Sequence, residues 1–392
     1  MKQKAKWALA LLAAAGFQMA HGEQAASTGA AASTPWYETL NIKGDMRYRF
    51  EDFQTQDKMS YERDRIRARV GFYPKINDDV DVGIRMTTAQ SVSGAPGQGN
   101  PVSGNQNLTW EDSRKGVYLD AAYFDWHPSI LPGLDLIGGK MAKNPLIQEG
   151  TYMWDPDLGP EGLAAKYHLD VADQFQVLVN GTYQWLNEYT TIKSEKMYAG
   201  QLALKFMPTK DSYVMVGATY YDFANLQGEP LLDWQNVNNP YGNSTTKQIS
   251  GSTTNLVYAD AFKVAEGFAE VGFDVGLPVR LYTSYLKNTE ASANNAAYTA
   301  GLEIGKLGAP GTYLIGYDYR NVAKDSIPGM LEDDDAFSGS GTDGKGSKIW
   351  ASYQILKNWQ LDLTCWLTKK NIASGETPVD FRHMMVDLMA KF

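Results

Sequence analysis

Seven of the eleven arginines lie between residues 47 and 85: Arg47, Arg49, Arg63, Arg65, Arg67, Arg69 and Arg85. Arg65, Arg67 and Arg69 alternate with Ile66, Ala68 and Val70, so in an extended strand all three point to one side. Arg47, Arg49 and Lys43 share the corresponding side of the preceding segment. Neighbouring strands lie about 4.8 Å apart, so these residues would form a basic ladder. Such a ladder can select anions, or it can pair with nearby Asp45, Glu51 and Asp81 and keep a polar surface wet; both readings stand at this point, and selectivity is the working expectation. A second charged group lies in Asn144–Glu161, where Glu149, Trp154, Asp155, Asp157 and Glu161 occur among Gly and Pro. If this stretch folds inward, its carboxylates face the arginines and set up a transverse field. The alternative is a surface loop held by Trp154.

Other chemistries find weaker support. Gly339, Gly341 and Gly344 match a G-x-G-x-x-G pattern, but no strand leads through it into a helix, so a nucleotide is not expected. The acidic run Glu332–Asp335 lacks the spacing of a calcium loop and is expected to be solvated at the surface. With four His and one Cys, no zinc-ligand cluster and no internal disulfide is expected, nor any cofactor. A hydrolase needs a nucleophile beside a base, and no pattern places one next to His127, His168 or His383. A net charge of −9 argues against a nucleic-acid-seeking surface.

The elements that must carry these residues have a period of two. Leu40, Ile42, Met46, Tyr48 and Phe50 alternate with Asn41, Lys43, Asp45, Arg47 and Arg49. The sequence predicts sixteen such strands, from about 39–50 to 380–392. The segments 116–127 and 134–143 alternate poorly, and their facing stays open. Connections alternate in length: short turns such as Asp170–Gln174 and Lys357–Asn358 separate long links such as Gln90–Lys115, Phe223–Val264 and Val322–Lys345. Alternation of short turns with long loops characterises an outer-membrane barrel. Mean hydropathy is only −0.37, as expected when each strand shows alternate residues to lipid. Aromatic content of 12%, with 23 Tyr and 10 Trp, suits two membrane interfaces.

Both ends of the chain agree with export. Lys2, Lys4 and Lys6 precede the apolar stretch Trp7–Phe17, and Ala20 and Gly22 offer small residues for cleavage. Residues 1–22 are therefore expected to be a signal peptide, 23–37 a low-complexity segment and 38–392 the barrel. Met384, Val386, Leu388, Ala390 and Phe392 alternate up to the carboxylate, and Phe392 is expected to act as a C-terminal sorting signal. The fold class is thus all-β, a transmembrane antiparallel barrel of about sixteen strands.

The stretches DAAYFDWHPSILPGLDLIGGKMAKNPL (Asp120–Leu146), WDPDLGPEGLAAKY (Trp154–Tyr167) and AGLEIGKLGAPGTYLIGYDYRNVAKDS (Ala300–Ser326) resemble the putative porin family of Gram-negative bacteria. DDDAF (Asp333–Phe337) and GKGSKIWASYQILKNWQLDL (Gly344–Leu363) continue the resemblance. It implies a sixteen-stranded type of barrel in the outer membrane and carries over no solute or binding residues. The expected function is a water-filled channel for small hydrophilic solutes, with anion preference through the arginine ladder. Expected partners are outer-membrane lipid and lipopolysaccharide, the barrel-assembly machinery and the solutes, with a homotrimer left open and no nucleic acid. A structural, adhesive or partner-binding barrel is the alternative, and an outer-membrane hydrolase a distant third.

Overall fold

The computed structural model describes residues 40–392 apart from 93–96, 110–112, 147–153, 191, 235–237, 251–252, 340 and 374. The expected signal peptide, the low-complexity segment and Glu149 lie outside the described residues. Among the described residues nineteen strands follow one another: β1 (Asn41–Thr55), β2 (Tyr61–Tyr73), β3 (Val80–Thr88), β4 (Gln106–Asn107), β5 (Val117–Trp126), β6 (Leu134–Lys140), β7 (Glu161–Ala172), β8 (Phe175–Asn187), β9 (Glu195–Thr209), β10 (Ser212–Ala224), β11 (Thr245–Ser250), β12 (Thr253–Tyr258), β13 (Phe262–Asp274), β14 (Pro278–Asn288), β15 (Ala296–Gly305), β16 (Tyr313–Val322), β17 (Gly344–Leu356), β18 (Trp359–Lys370) and β19 (Val379–Lys391). Sixteen of them close into an antiparallel barrel. The hairpin β11–β12 belongs to a long link and forms a sheet of its own, while the two-residue β4, from another long link, adds to the barrel sheet by a short pairing with β2.

Period-two patterning explains why these segments pair. In β1, Arg47 and Arg49 are buried while Met46 and Tyr48 lie exposed on the outer face. The apolar outer face can meet hydrocarbon only if every backbone group is bonded along the ring, which requires closure. Closure comes from β1 and β19, paired from Asp45↔Lys391 to Thr55↔Phe381. Gly44 and Phe392 exchange two further backbone hydrogen bonds, at 2.9 and 3.0 Å. A side chain at Gly44 would strike the Phe392 ring and the Arg69 carbonyl, both 2.4 Å from its Cβ position. Outward aromatics gather at both ends of the strands: Phe206, Tyr313, Tyr353 and Trp359 at the short-turn end, and Trp185, Tyr198, Tyr220 and Tyr285 at the long-loop end. Such girdles mark membrane–water interfaces.

The poor alternation of 116–127 has a structural cause. Pairing of β3 with β5 steps from Arg85↔Ala121 to Met86↔Leu119, leaving Asp120 as an extra residue. A bulge of this kind reverses side-chain parity along the strand. Val117 and Leu119 point outward before it and Phe124 after it, so no single alternation fits.

The long-loop half of the barrel interior departs from a simple polar lumen. Inward residues Met197, Tyr221, Phe223, Phe262 and Trp366 pack with Trp154, Leu226, Leu232, Ile327 and Phe337 from the links 141–160, 225–261 and 323–343. Those links therefore fold into the barrel and bury their apolar residues there.

Candidate functional site: the arginine wall and the in-folded loops

The arginine wall spans β1 and β2 and is completed by β19. Register places Arg47 opposite Arg67 and Arg49 opposite Arg65. Like charges directly opposite destabilise a ladder, so carboxylates must intervene. Asp387 on β19 accepts both nitrogens of the Arg49 fork, at 2.7 and 2.8 Å. Asp45 accepts from Arg67 at 3.0 Å and from Arg69 at 2.7 Å. Fully buried Glu51 receives Arg63, and also Arg49 and Arg65 at 3.4 Å each. Asp81, the third acid expected to neutralise the cluster, instead bridges through its backbone to Lys75. Arg85 pairs with the bulge residue Asp120, and Lys43 lies 5.9 Å from the Tyr73 ring centroid.

Arg47 and Arg65 are the least neutralised members. Arg47 donates to the Asn105 side-chain oxygen at 2.8 Å and approaches Asp387 only to 3.8 Å. Arg65 reaches the Ser103 hydroxyl at 3.4 Å. The Nε of each is buried without a partner among the described residues. Asn105 and Ser103 come from link 89–116, which places β4 alongside β2 at Arg65 and Ile66. Sequence reasoning gave this link no role, because its small polar residues carry no periodic signal.

The acidic side comes from two links. Trp154 turns inward, 8% exposed, and stacks on Tyr221 and Phe223 of β10 at 5.5 and 6.4 Å. From there the chain reaches across the lumen, and Asp157 lies 3.5 Å from Arg67 on β2. A backbone bridge joins Trp154 to Glu332, and the Asp155 amide donates to the Leu331 carbonyl at 3.0 Å. The 323–343 link continues to the wall, where Asp335 lies 3.7 Å from Arg49 and 3.7 Å from His383. The run Glu332–Asp335 is therefore not the solvated surface loop expected from sequence. Glu332 is 1% and Asp333 7% exposed, because apolar Leu331, Ala336 and Phe337 draw the run inward with them. Glu161 departs the other way: it begins β7 on the outward-facing side and pairs with Lys140 at 3.0 Å, away from the wall.

Crowding separates these acids. Asp155, Asp333 and Asp334 place carboxyl oxygens within 4.8 Å of one another. Burial first, and then repulsion from neighbouring acids, raises all three above the ordinary aspartate value, Asp155 and Asp334 well above it, with Lys348 and Arg320 opposing the shift at Asp333. Burial opposes charge on Asp335 too, but His383, Arg49, Arg65 and Lys348 outweigh it and hold that group at about 2. Glu51, Asp335 and His383 also bring three potential metal donors together. Three guanidinium groups already contact Glu51, so this is an ion-pair hub rather than an open cation site.

The profile of the family described as "Putative porin" matches residues 53–254, half of the chain. This chain belongs to that family. No curated protein sequence matches it significantly. Among solved structures the porin resembles Pseudomonas putida OprB, with 10% identity, TM-score 0.53 and coverage of 91% of this chain and 95% of that one. Salmonella typhi OmpF, solved with daunomycin, gives 12% identity, TM-score 0.52 and coverage of 90% and 97%. Acinetobacter baumannii DcaP, described as an outer membrane channel, gives 12% identity, TM-score 0.50 and the same two coverages. At these identities the likeness shows the fold alone. The porin is an outer-membrane channel protein, and its membrane crossing is made by strands.

Towards the short-turn end, β6 to β10 and β13 of the porin line a separate cavity of about 500 Å³. Its roof is formed by Lys143, Asn144 and Leu146, where the 141–160 link enters the lumen. Above it a polar row crosses β8, β9 and β10: Asn180 donates to Gln201 at 3.1 Å and Gln201 to Thr219 at 2.9 Å.

Proposed function

We propose that the porin passes small hydrophilic solutes by passive diffusion, with a preference for anions, and that the arginine wall facing the acidic loop edge selects them. One observation carries this reading. Six arginines of β1 and β2 meet only three carboxylates on β1 and β19, and the in-folded links add Asp157 and Asp335 from the lumen side. The wall therefore keeps an excess of positive charge, with Arg47 and Arg65 the least compensated. Rings of fixed charge of this kind bias ion passage through a constriction, and opposed charges orient dipolar solutes across it. The reading involves no catalytic step. His383, the histidine nearest the constriction, stacks on Phe53 at 4.0 Å and sits between Glu51 and Asp335. Long links then face outside the cell and short turns the periplasm.

Purified porin in a planar bilayer under a salt gradient tests the proposal. Ohmic channels with a reversal potential on the anion side are expected, and the combined Arg65→Ala, Arg67→Ala and Arg69→Ala variant should move that potential toward cations. Absence of conductance would overturn the channel; a reversal potential unmoved by the triple variant would overturn the role of the wall.

A further inference from the structure

The cavity near the short-turn end contains charge that the arginine wall does not explain. Lys166 of β7 and Lys205 of β9 point into it, and Lys143 hangs from its roof. No ion pair joins any of the three among the described residues. The carboxylates lining the cavity do not cancel them. Asp135 stands opposite Lys166 in the β6–β7 register without closing to an ion pair. Glu270 accepts the Tyr213 hydroxyl and lies 3.3 Å from Arg280, so it is already engaged. The Lys205 ammonium lies 4.6 Å from the Tyr213 ring centroid, a contact that orients it while the hydrogens turned away from the ring can still donate.

Between the lysines the wall carries His168 beside an apolar pair. Lys166 pairs across the ladder with Asn180 and Lys205 with Gln176, and the Leu178↔Ala203 pair lies between those two rows. Leu178 and Tyr213 pack onto the small cluster of Ala203, Met215 and Phe268. An apolar strip about two residues deep is thus bracketed by ammonium groups, with Leu146 above it. The volume falls within the roughly 300–1,000 Å³ usual for small-molecule sites, which combine apolar surface with a few placed polar groups.

We infer that this cavity is a binding station for small organic carboxylates that carry a compact apolar body, such as an aromatic ring. The carboxylate takes its donors from the ammonium groups at the edges of the strip, Lys166, Lys205 and Lys143, and the apolar body lies on Leu178 and Met215. Inorganic anions would gain the charge contacts alone, and neutral aromatics the apolar contact alone. The station deepens the reading of the porin as an anion-preferring channel, and it lies beyond the constriction, on the exit side for an entering solute.

Calorimetry on the purified full-length porin in detergent micelles, with benzoate as the probe and acetate and benzyl alcohol as controls, tests this directly. Benzoate is expected to bind about tenfold or more tightly than either control, since each lacks one of the two contacts. Combined Lys166→Gln and Lys205→Gln should abolish that advantage, while Lys166→Arg and Lys205→Arg should retain most of it. Equal binding of benzoate and benzyl alcohol by the unaltered porin overturns the inference without any variant, as does benzoate binding unchanged by the glutamine pair. Heat-modifiable migration reports whether the paired variant has closed its barrel; if it has not, the single Lys205→Gln variant carries the comparison. A protein that conducts but ignores benzoate refutes the station alone. One that binds benzoate but never conducts refutes the channel alone.

Discussion

Arg47 opposite Arg67, and Arg49 opposite Arg65, is a costly arrangement that the wall tolerates only because carboxylates interleave it. The Arg49–Asp387 fork is the best-formed of these contacts, and both side chains are about nine-tenths buried. Removing one partner of a buried pair strands the other and costs about 3–5 kcal/mol. Asp387→Asn is therefore expected to lower the temperature at which the porin loses heat-modifiable migration, and the paired Arg49→Met and Asp387→Leu variant, which removes both charges together, to lower it less. The acids of the 323–343 link predict a pH response. Asp335, held at about 2 against an ordinary 3.8, stabilises the in-folded loop at every pH above about 4 and stops doing so only as pH falls toward 2. Asp155, Asp333 and Asp334 are shifted the other way, so their contribution is greatest when protonated and is lost as pH rises through their raised values. Acidification from neutral pH toward the ordinary carboxylate value should hence steady the loop and reduce spontaneous closures in bilayer recordings. Asp334→Asn should give the steadier behaviour already at pH 7; closures as frequent as in the unaltered porin, and still pH-dependent, would show that this cluster does not set the gating.

At the scale of elements, two features carry the site: the loop that crosses the lumen and the strand seam that supports the wall. Trp154 docks the 141–160 link onto Tyr221 and Phe223, and this docking, together with the backbone bonds to Leu331 and Glu332, keeps Asp157 at Arg67. Trp→Ala at a buried site costs about 3–5 kcal/mol, enough to free the link from β10. Trp154→Ala is expected to raise single-channel conductance and open-channel noise with the barrel intact; conductance equal to that of the unaltered porin would mean the link does not narrow the path. Gly44 shows the constraint on the seam, since a side chain there meets both the Phe392 ring and a backbone carbonyl that cannot step aside. Gly44→Val should therefore slow or prevent closure, seen as loss of the fast-migrating unheated band on a gel. The same pairing makes Phe392 part of the ladder, in addition to the sorting role proposed for it.

For the whole molecule, the porin family, the closed ring of sixteen strands and the alternation of short turns with long links are in place. Export remains a proposal, and sequencing the N-terminus of protein taken from outer membranes should find Glu23 first; a chain beginning at Met1 would refute it. Strand positions, the outward and inward faces of regularly alternating strands and the basic identity of the wall were readable from residue order alone, because a period of two is a local property; in β5 the bulge at Asp120 broke that period and hid the faces. The segments 116–127 and 380–392, expected as strands, carry β5 (Val117–Trp126) and β19 (Val379–Lys391). What residue order could not provide was the partner of each charge. Asp387 reaches Arg49 only because β19 returns to β1, and the acids of 332–335 reach the wall only because neighbouring apolar residues pull their link inside the barrel. Glu161 left the constriction, and Asp335 and Asn105 entered it, for the same reason. Hydrophobic burial of a link and closure of a ring depend on surfaces far apart in the chain, so the tertiary structure alone decided which charges meet.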